Sequence, residues 1–266
     1  GDLASGVALR LHRAGFAVVM TDLPQPTAIR RTVCFSQAIR FGKTTVEDAV
    51  GVRCKTAQEV KAALDAGEIP VLPDETAACR AWLHPAVLID GILAKKNLGT
   101  AITDAPLVLA LGPGFCAGRD CHAVIETMRG HTLGRVIWDG EPIPNTNIPG
   151  LIGGFAGERV LRAPDTGTFH QLRDIGAQVI SGEAVGEVNG KPMVCTISGV
   201  LRGILPDGTP VVEGMKSGDV DPRGKVENCY TVSDKASAIA GGVLEAILHR
   251  LPIVSRDAEI DMEGAL

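Results

Sequence analysis

The sequence predicts an α/β fold with a mostly parallel sheet, followed by a small all-β unit and a C-terminal helix. Apolar runs typical of buried strands alternate with amphipathic helices over residues 1–155, which indicates parallel strands joined by helices. Over residues 156–224 the predicted strands are short and turn glycines are frequent, which predicts a small all-β unit. Residues 225–266 contain a last amphipathic helix, which we expect to pack on the body together with its tail.

The first elements form part of a nucleotide-binding motif. Small residues open the chain, residues 7–14 predict a helix, and residues 16–21 predict a buried strand that ends at Asp22. A glycine turn, a helix, a strand and an acid about 20 residues after the turn are typical of a Rossmann-like βαβ unit. We expect the strand that normally comes before such a turn to lie in residues preceding Gly1. The predicted cofactor-binding residues here are Gly1, Asp2, Leu3, Ala4 and Asp22. Asp22 either accepts hydrogen bonds from a ribose or only caps the turn at Pro24.

The following elements continue the alternation. The predicted helices are residues 56–65, with a Thr cap and a Glu three positions later, and residues 76–83. The predicted strands are residues 69–72, 86–89, 106–111 and 134–138. Residues 27–43 and 46–54 indicate no single type of structure. Ligands of parallel sheets bind outside the carboxyl ends of the strands, where Asp22, Asp90 and the turn at Gly112 all fall.

A second glycine turn follows the strand at residues 106–111. Gly112, Gly114 and Gly118 let the backbone turn sharply after this strand, and residues 117–128 predict a helix. Free N–H groups at a helix start would attract an anion, which predicts a phosphate site. Asp90, Phe115 and Arg119 complete the predicted cofactor-binding residues. A tight connection inside an α/β sheet is the alternative.

Reactive side chains crowd the same turn. Cys116 or Cys121 would be an activated thiolate at the helix start, with His122 as the base and Asp120 orienting it. On a helix, His122 and Glu126 would share one face and could hold a metal ion together with Asp120. Two inert cysteines packed against the sheet are the structural alternative.

The all-β unit contains a weak internal repeat. Residues 163–182 and 196–214 each place a glycine after a polar turn and then a Gly-x-x-Val-x-x-Gly corner or a close variant of it. Two interlocking halves of this kind resemble the barrel-sandwich domains of biotinyl and lipoyl carriers. Lys191 lies near the position of the carriers' modified lysine, but their sequence context is absent, so a structural β module is the favoured interpretation.

Composition excludes several function classes. The net charge of −5 and only six Phe, two Trp and one Tyr argue against binding of nucleic acids. No apolar run approaches the roughly 20 residues of a membrane span, and we expect no signal peptide. Seven scattered cysteines do not predict a disulfide framework, which favours a cytoplasmic location. The sequence allows a homo-oligomer.

Nearly the whole chain resembles the accessory proteins of selenium-dependent molybdenum hydroxylases. The most specific block is Leu-Gly-Pro-Gly-Phe-Cys-Ala-Gly-Arg-Asp-Cys-His-Ala-Val-Ile-Glu-Thr at residues 111–127. The other matching blocks are residues 1–15, 129–135, 149–154 and 158–164. The resemblance implies a role in maturing a molybdenum hydroxylase client. It also implies kinship with xanthine dehydrogenase accessory factors, which have a Rossmann-like domain and handle molybdenum cofactor.

Three functions are therefore compatible with the sequence. The first is an accessory protein that binds molybdenum cofactor or a related phosphorylated nucleotide. The second is a nicotinamide-dependent oxidoreductase that binds NAD, although no catalytic Lys-Tyr or His-Asp pair is evident. The third is a non-enzymatic carrier or scaffold built on the β module. Whether any step is catalytic is left open by the residues themselves.

Overall fold

A computed structural model describes residues 1–146 and 150–250. The helices are α1 (Asp2–Arg13), α2 (Gln37–Phe41), α3 (Ala57–Asp65), α4 (Arg80–Leu83) and α5 (Asp234–Arg250). The first eight strands are β1 (Met20–Asp22), β2 (Lys43–Val46), β3 (Ala49–Arg53), β4 (Ile69–Pro73), β5 (Val87–Asp90), β6 (Leu107–Leu111), β7 (Ala123–Ile125) and β8 (Val136–Ile137). The other eight are β9 (Val160–Arg162), β10 (Gly167–Gln171), β11 (Gln178–Val179), β12 (Ala184–Val188), β13 (Lys191–Val194), β14 (Gly199–Ile204), β15 (Thr209–Val211) and β16 (Lys216–Asp221).

The first eight strands form two four-stranded sheets. Their strand orders are β1-β4-β3-β2 and β5-β6-β7-β8. In each sheet two strand pairs are parallel, and only the last strand, β2 or β8, pairs antiparallel. The mixed α/β class with parallel strands is thus confirmed. No helix among the described residues is long and apolar enough to cross a membrane.

Helix α1 packs on both of these sheets. Its Leu9 shares a buried cluster with Ile69 of β4, whereas its Val7 shares another with Leu109 of β6. Helix α5 packs beside α1, and Gly6 permits the contact because a Cβ there would lie 2.7 Å from the Cβ of Ala236. The predicted C-terminal helix is therefore confirmed, and it packs on the body of the protein.

The last eight strands form two antiparallel sheets around a separate buried cluster. The strand orders are β13-β12-β10-β15 and β11-β14-β16-β9. Phe169 of one sheet and Leu201 of the other belong to this same cluster, so the two sheets share one core. The predicted short-strand region therefore contains only antiparallel pairs between residues 160 and 221.

Strand pairing in this unit has an internal two-fold pattern. Strands β9, β10, β11 and β12 correspond in order to β13, β14, β15 and β16. When each strand is replaced by its counterpart, the strand order of one sheet becomes that of the other, read in reverse. The pattern extends to irregularities, since β12 bulges between Ala184 and Gly186 and β16 bulges at the matching place, between Lys216 and Gly218. The weak sequence repeat corresponds to these two interlocked sets of four strands.

Several predicted elements need correction. The helix predicted over residues 117–128 is wrong, because a turn occupies its first part and strand β7 its middle. Ala123, Val124 and Ile125 are three consecutive buried apolar residues, a pattern that suits a strand covered on both faces rather than one face of a helix. The helix predicted over residues 76–83 is reduced to α4. Residues 46–54, for which the sequence indicated no single type of structure, contain strand β3, which forms a hairpin with β2.

Other predictions are confirmed at the level of single contacts. Helix α3 begins with a complete capping box, in which Thr56 accepts a bond from the Glu59 amide and the Glu59 side chain accepts one from the Thr56 amide.

The predicted tail after residue 250 lies outside the described residues. The boundaries predicted at residues 155 and 224 stay predictions.

Candidate functional site

The start of α1 lies at the end of β1. The backbone nitrogen of Gly1 is 3.5 Å from Oδ2 of Asp22, while Oδ1 of Asp22 accepts a bond from the Leu23 amide at 2.8 Å. The first bond within the helix is donated by the Ser5 amide to the Gly1 carbonyl, so the amides of Asp2, Leu3 and Ala4 have no partner within the helix. Asp22 and the first turn of α1, which the sequence analysis predicted to act together, are neighbours.

The same turn also contacts the end of β5. A Cβ on Gly91 would lie 2.9 Å from the Cβ of Ala4, so both residues must be small for the helix to approach this strand end. Small residues at such a contact are typical of a helix that follows a nucleotide-binding turn. Gly91 was missed by the sequence analysis. Its signal was a glycine directly after an acidic strand end.

An arginine accompanies the acidic residue of the first turn. Arg30 donates from Nη1 to Oδ2 of Asp2 at 3.0 Å, and its side chain is only 9% exposed. The guanidinium therefore offsets the negative charge that Asp2 would otherwise present to an incoming anion. The sequence alone indicated no single type of structure for residues 27–43, which contain Arg30.

Asp90 has a structural role in the loop after β5. Its Oδ1 accepts a bond from the Ile92 amide at 3.0 Å, and its Oδ2 accepts one from the Thr100 hydroxyl at 2.6 Å. The carboxylate is buried, and both of its oxygens are engaged by its own loop. Of the two predicted strand-end acids, only Asp22 presents its carboxylate at the start of α1.

The second glycine turn is filled by the protein itself. A Cβ on Gly112 would lie 2.5 Å from the Thr127 hydroxyl, and a Cβ on Gly114 would lie 2.6 Å from the backbone of Lys96. At Gly118 the nearest atom, a carboxylate oxygen of Asp139, is 3.8 Å away. The glycines at 112 and 114 thus serve close protein packing. A larger side chain at residue 114 would therefore clash with the Lys96 backbone.

The turn that follows is held by a carboxylate. Oδ2 of Asp120 accepts a bond from the Cys116 amide at 2.8 Å, and Arg119 forms two bonds to the same carboxylate at 3.0 and 3.1 Å. The hydrogen bonds from Arg119 lower the pKa of Asp120 below its ordinary value. Asp120 therefore braces the turn, and Arg119 already has an anionic partner.

The structure does not provide the helix start that was expected to activate a thiolate at Cys116 or Cys121. No helix starts at Cys116 or Cys121, so no helix end lowers the pKa of a thiol there. Cys121 is completely buried beside Phe115, and burial raises its pKa to about 12. Cys116 is half-buried, and its thiol points to the Ala117 carbonyl 3.7 Å away. Phe115 is thus a core residue and not an exposed cofactor contact.

His122 and Glu126 also have structural partners. Nδ1 of His122 accepts a bond from the Val108 amide at 3.0 Å, which fixes the ring on strand β6. The Glu126 carboxylate is buried and accepts bonds from the amides of Met128 and Ile143 at 2.7 and 2.8 Å. Over residues 1–146 and 150–250, no group of three or more His, Cys, Asp or Glu side chains could hold a metal ion. The metal site built from Asp120, His122 and Glu126 depended on a helix that is not there.

Comparisons with known proteins give one substantial similarity. The chain is 46% identical over 248 residues to the uncharacterized protein YqeB of Escherichia coli (strain K12). This match covers 93% of the chain, whereas the chain spans about half (46%) of the length of that relative. No protein-family model matches.

Among solved structures, the product-bound ectoine utilization protein EutE (DoeB) from Ruegeria pomeroyi is 18% identical to the chain. The match covers 32% of this chain and 27% of that one. Its TM-score of 0.22 is too low to bear on fold or function.

Proposed function

We propose that the protein is an accessory protein in the maturation of a selenium-dependent molybdenum hydroxylase. In this role it binds molybdenum cofactor, or a related phosphorylated nucleotide, at the start of α1. Two independent facts support the proposal: the family-like sequence blocks, and the placement of Gly1–Ala4 beside Asp22. The client is the hydroxylase itself, and the compartment is the cytoplasm.

The position of α1 is the observation that carries the proposal. Its first turn meets the carboxyl ends of two strands, at Asp22 after β1 and at Gly91 after β5. These two strands are the edges of different sheets, so the turn lies where two sheet edges approach the same helix. A crevice at the carboxyl ends of parallel strands is the usual nucleotide position in α/β proteins.

The residues at this turn suit a phosphorylated nucleotide. The amides of Asp2, Leu3 and Ala4 can donate to a phosphate at the positive end of the α1 dipole. Arg30 compensates the charge of Asp2, and Oδ2 of Asp22, which lies 3.5 Å from the Gly1 nitrogen, can accept a bond from a ribose hydroxyl. The bound cofactor would supply the redox-active molybdenum centre that the client uses. This chain would hold and orient its nucleotide end.

We further propose that the first part of the chain is a Rossmann-like domain and the second a barrel-sandwich unit. The exchange symmetry of strands β9–β16 supports the second assignment. Lys191 follows the two-residue turn Asn189–Gly190 and is exposed, but its Nζ lies 2.9 Å from the Asp165 carboxylate. That hydrogen bond raises the pKa of Lys191, which makes a structural role a better fit than a swinging arm.

Calorimetric titration of the protein with molybdopterin nucleotides and with NAD tests the proposal. We expect saturable binding of a molybdopterin nucleotide, weakened about tenfold by Asp22→Asn, since a hydrogen bond to a charged group contributes about 1.5–3 kcal/mol. The matched control is Asp65→Asn, which removes a carboxylate from the exposed end of α3 and leaves affinity unchanged.

Each outcome separates the candidates. Tight binding of NAD, with no binding of molybdopterin nucleotides, would favour the nicotinamide-dependent oxidoreductase. Absence of binding for both would contradict a nucleotide site at α1. A mass increase on Lys191 in protein purified from cells would favour the carrier.

A further inference from the structure

A cavity of about 250 Å³ lies between the two parts of the chain. Arg30 lines it from the segment before α2, Arg202 from β14, and Arg223 from the turn after β16. The start of α5 closes it with Ser233 and Asp234. Three guanidinium groups therefore meet at one cavity, although their residues are far apart in the sequence.

Two of these arginines, Arg202 and Arg223, belong to a network of ion pairs with Asp219 and Asp221. Asp219 is bound by Arg159 at 2.9 Å and by Arg202 at 2.5 Å. Asp221 is bound by Arg202 at 3.2 Å and by Arg223 at 2.6 Å. Three guanidiniums thus share two carboxylates, and all but Arg223 are buried. The two buried guanidiniums balance the two buried carboxylates, so the excess positive charge of the network is that of Arg223, whose side chain is 44% exposed at the cavity.

Arg30 supplies a separate indication of a missing acceptor. Its Nη2 donates to the carbonyls of Asn228 and Thr231 at 3.1 and 3.3 Å, and its Nη1 donates to Asp2. Its Nε is buried and has no hydrogen-bond partner. An unpaired buried donor costs about 1–3 kcal/mol, so such groups normally have a partner.

We propose that this cavity binds the phosphate group of a small ligand, held by Arg30, Arg202 and Arg223 with the start of α5 beside it. The carboxylates of Asp219 and Asp221 hold the guanidiniums of Arg202 and Arg223 in place, and the N–H groups that do not bind these carboxylates can donate to phosphate oxygens. The cavity is smaller than the roughly 300–1,000 Å³ of sites that enclose a whole drug-sized ligand. It therefore accommodates phosphate, diphosphate, or the phosphate end of a larger molecule. The site does not depend on the proposed function at α1.

Calorimetric titration with inorganic phosphate, diphosphate and ADP tests the proposal. We expect one saturable site, with affinity for diphosphate reduced about tenfold in Arg223→Gln, because a charge-assisted hydrogen bond is lost. The matched control is Arg173→Gln, which removes an exposed arginine paired with Glu183 on the surface and leaves affinity unchanged. Tighter binding of ADP than of diphosphate would identify the phosphate end of a nucleotide as the ligand, and equal or weaker binding would identify the free ion.

A second measurement needs no variant. Phenylglyoxal modifies accessible guanidiniums, and Arg223 is 44% exposed on its side chain. Diphosphate should slow the labelling of Arg223 and leave that of Arg173 unchanged. Absence of saturable binding up to about 10 mM, the range of very weak affinity, together with unchanged labelling of Arg223 would overturn the proposal. Asp22→Asn should not alter the affinity for diphosphate, which keeps this test distinct from that of the α1 site.

Discussion

The turn at residues 112–118 and the first turn of α1 both place glycine and charged residues at the carboxyl ends of strands. Their surroundings differ. Gly112 and Gly114 are packed against Thr127 and Lys96, and the carboxylate of Asp120 is engaged by its own turn and by Arg119. At α1, three amides have no partner within the helix, and Asp22 lies alongside them.

This difference shows that a glycine-rich sequence does not reveal what approaches its backbone. Residue 114 must be glycine because the backbone of a neighbouring loop lies against it. A ligand that approached the backbone as closely would require glycine too, so the sequence pattern does not distinguish the two cases. Of these two turns, the start of α1 is the one that combines small residues, amides without a partner in the helix, and a nearby acid.

Cysteine labelling should give the largest effect. At neutral pH the thiolate fraction of Cys121, whose pKa burial raises to about 12, lies about a thousandfold below that of an ordinary thiol. In the folded protein we therefore expect Cys121 to resist alkylation at pH 7 and Cys116 to be labelled first. Mass spectrometry of the labelled peptides measures both rates. In denaturant the two rates should converge, whereas fast labelling of Cys121 in the native protein would show that the turn is open.

Enlarging the glycines should separate packing from conformation. Gly114→Ala adds a Cβ against the Lys96 backbone at a residue with φ of +107°, and we expect it to lower the free energy of unfolding by about 3 kcal/mol. At Gly118, where φ is +84°, an added Cβ would make only an ordinary contact of 3.8 Å with Asp139, so Gly118→Ala should lower the free energy of unfolding by about 1 kcal/mol. Urea denaturation measures both. Equal losses of unfolding free energy in the two variants would show that the Lys96 backbone does not clash with a Cβ at residue 114.

The arginine network at the cavity should make stability depend on acidity. Burial of Asp221 raises the pKa of its carboxyl, but bonds from Arg223 and the charge of Arg202 outweigh this and lower it to about 2, against an ordinary 3.8. Because the folded-state pKa is lowered, the stabilisation is present above about pH 4 and is lost as the pH falls towards 2. Its size is about 2 kcal/mol.

Denaturation of the wild type and Asp221→Asn across this range measures that contribution. The variant should lose stability at neutral pH and show a shallower fall between pH 4 and 2. Asp65→Asn, on the exposed end of α3, is the control. If the free energy of unfolding of the wild type and that of Asp221→Asn fell equally steeply between pH 4 and 2, the stabilisation assigned to the network would be contradicted.

The sequence allowed prediction of the elements with local signals. The capping box of α3, the apolar run of β6 and the pattern of α5 all depend on neighbouring residues, and each element is present. The helix after Gly112 was predicted wrongly because buried strands and buried helices have similar short apolar runs. The cavity was missed because its arginines come from three distant segments. One signal was available, since Arg202 interrupts an otherwise apolar strand, where a charge requires a partner.

Hydrogen exchange of the wild-type protein, with and without a saturating molybdopterin nucleotide, tests whether the nucleotide binds at the start of α1. If the nucleotide end binds at α1, amides of residues 1–6 and the segment after Asp22 should gain protection, while residues 112–118 should exchange as in the free protein. Protection confined to residues 112–118, with α1 unchanged, would contradict the assignment of the site.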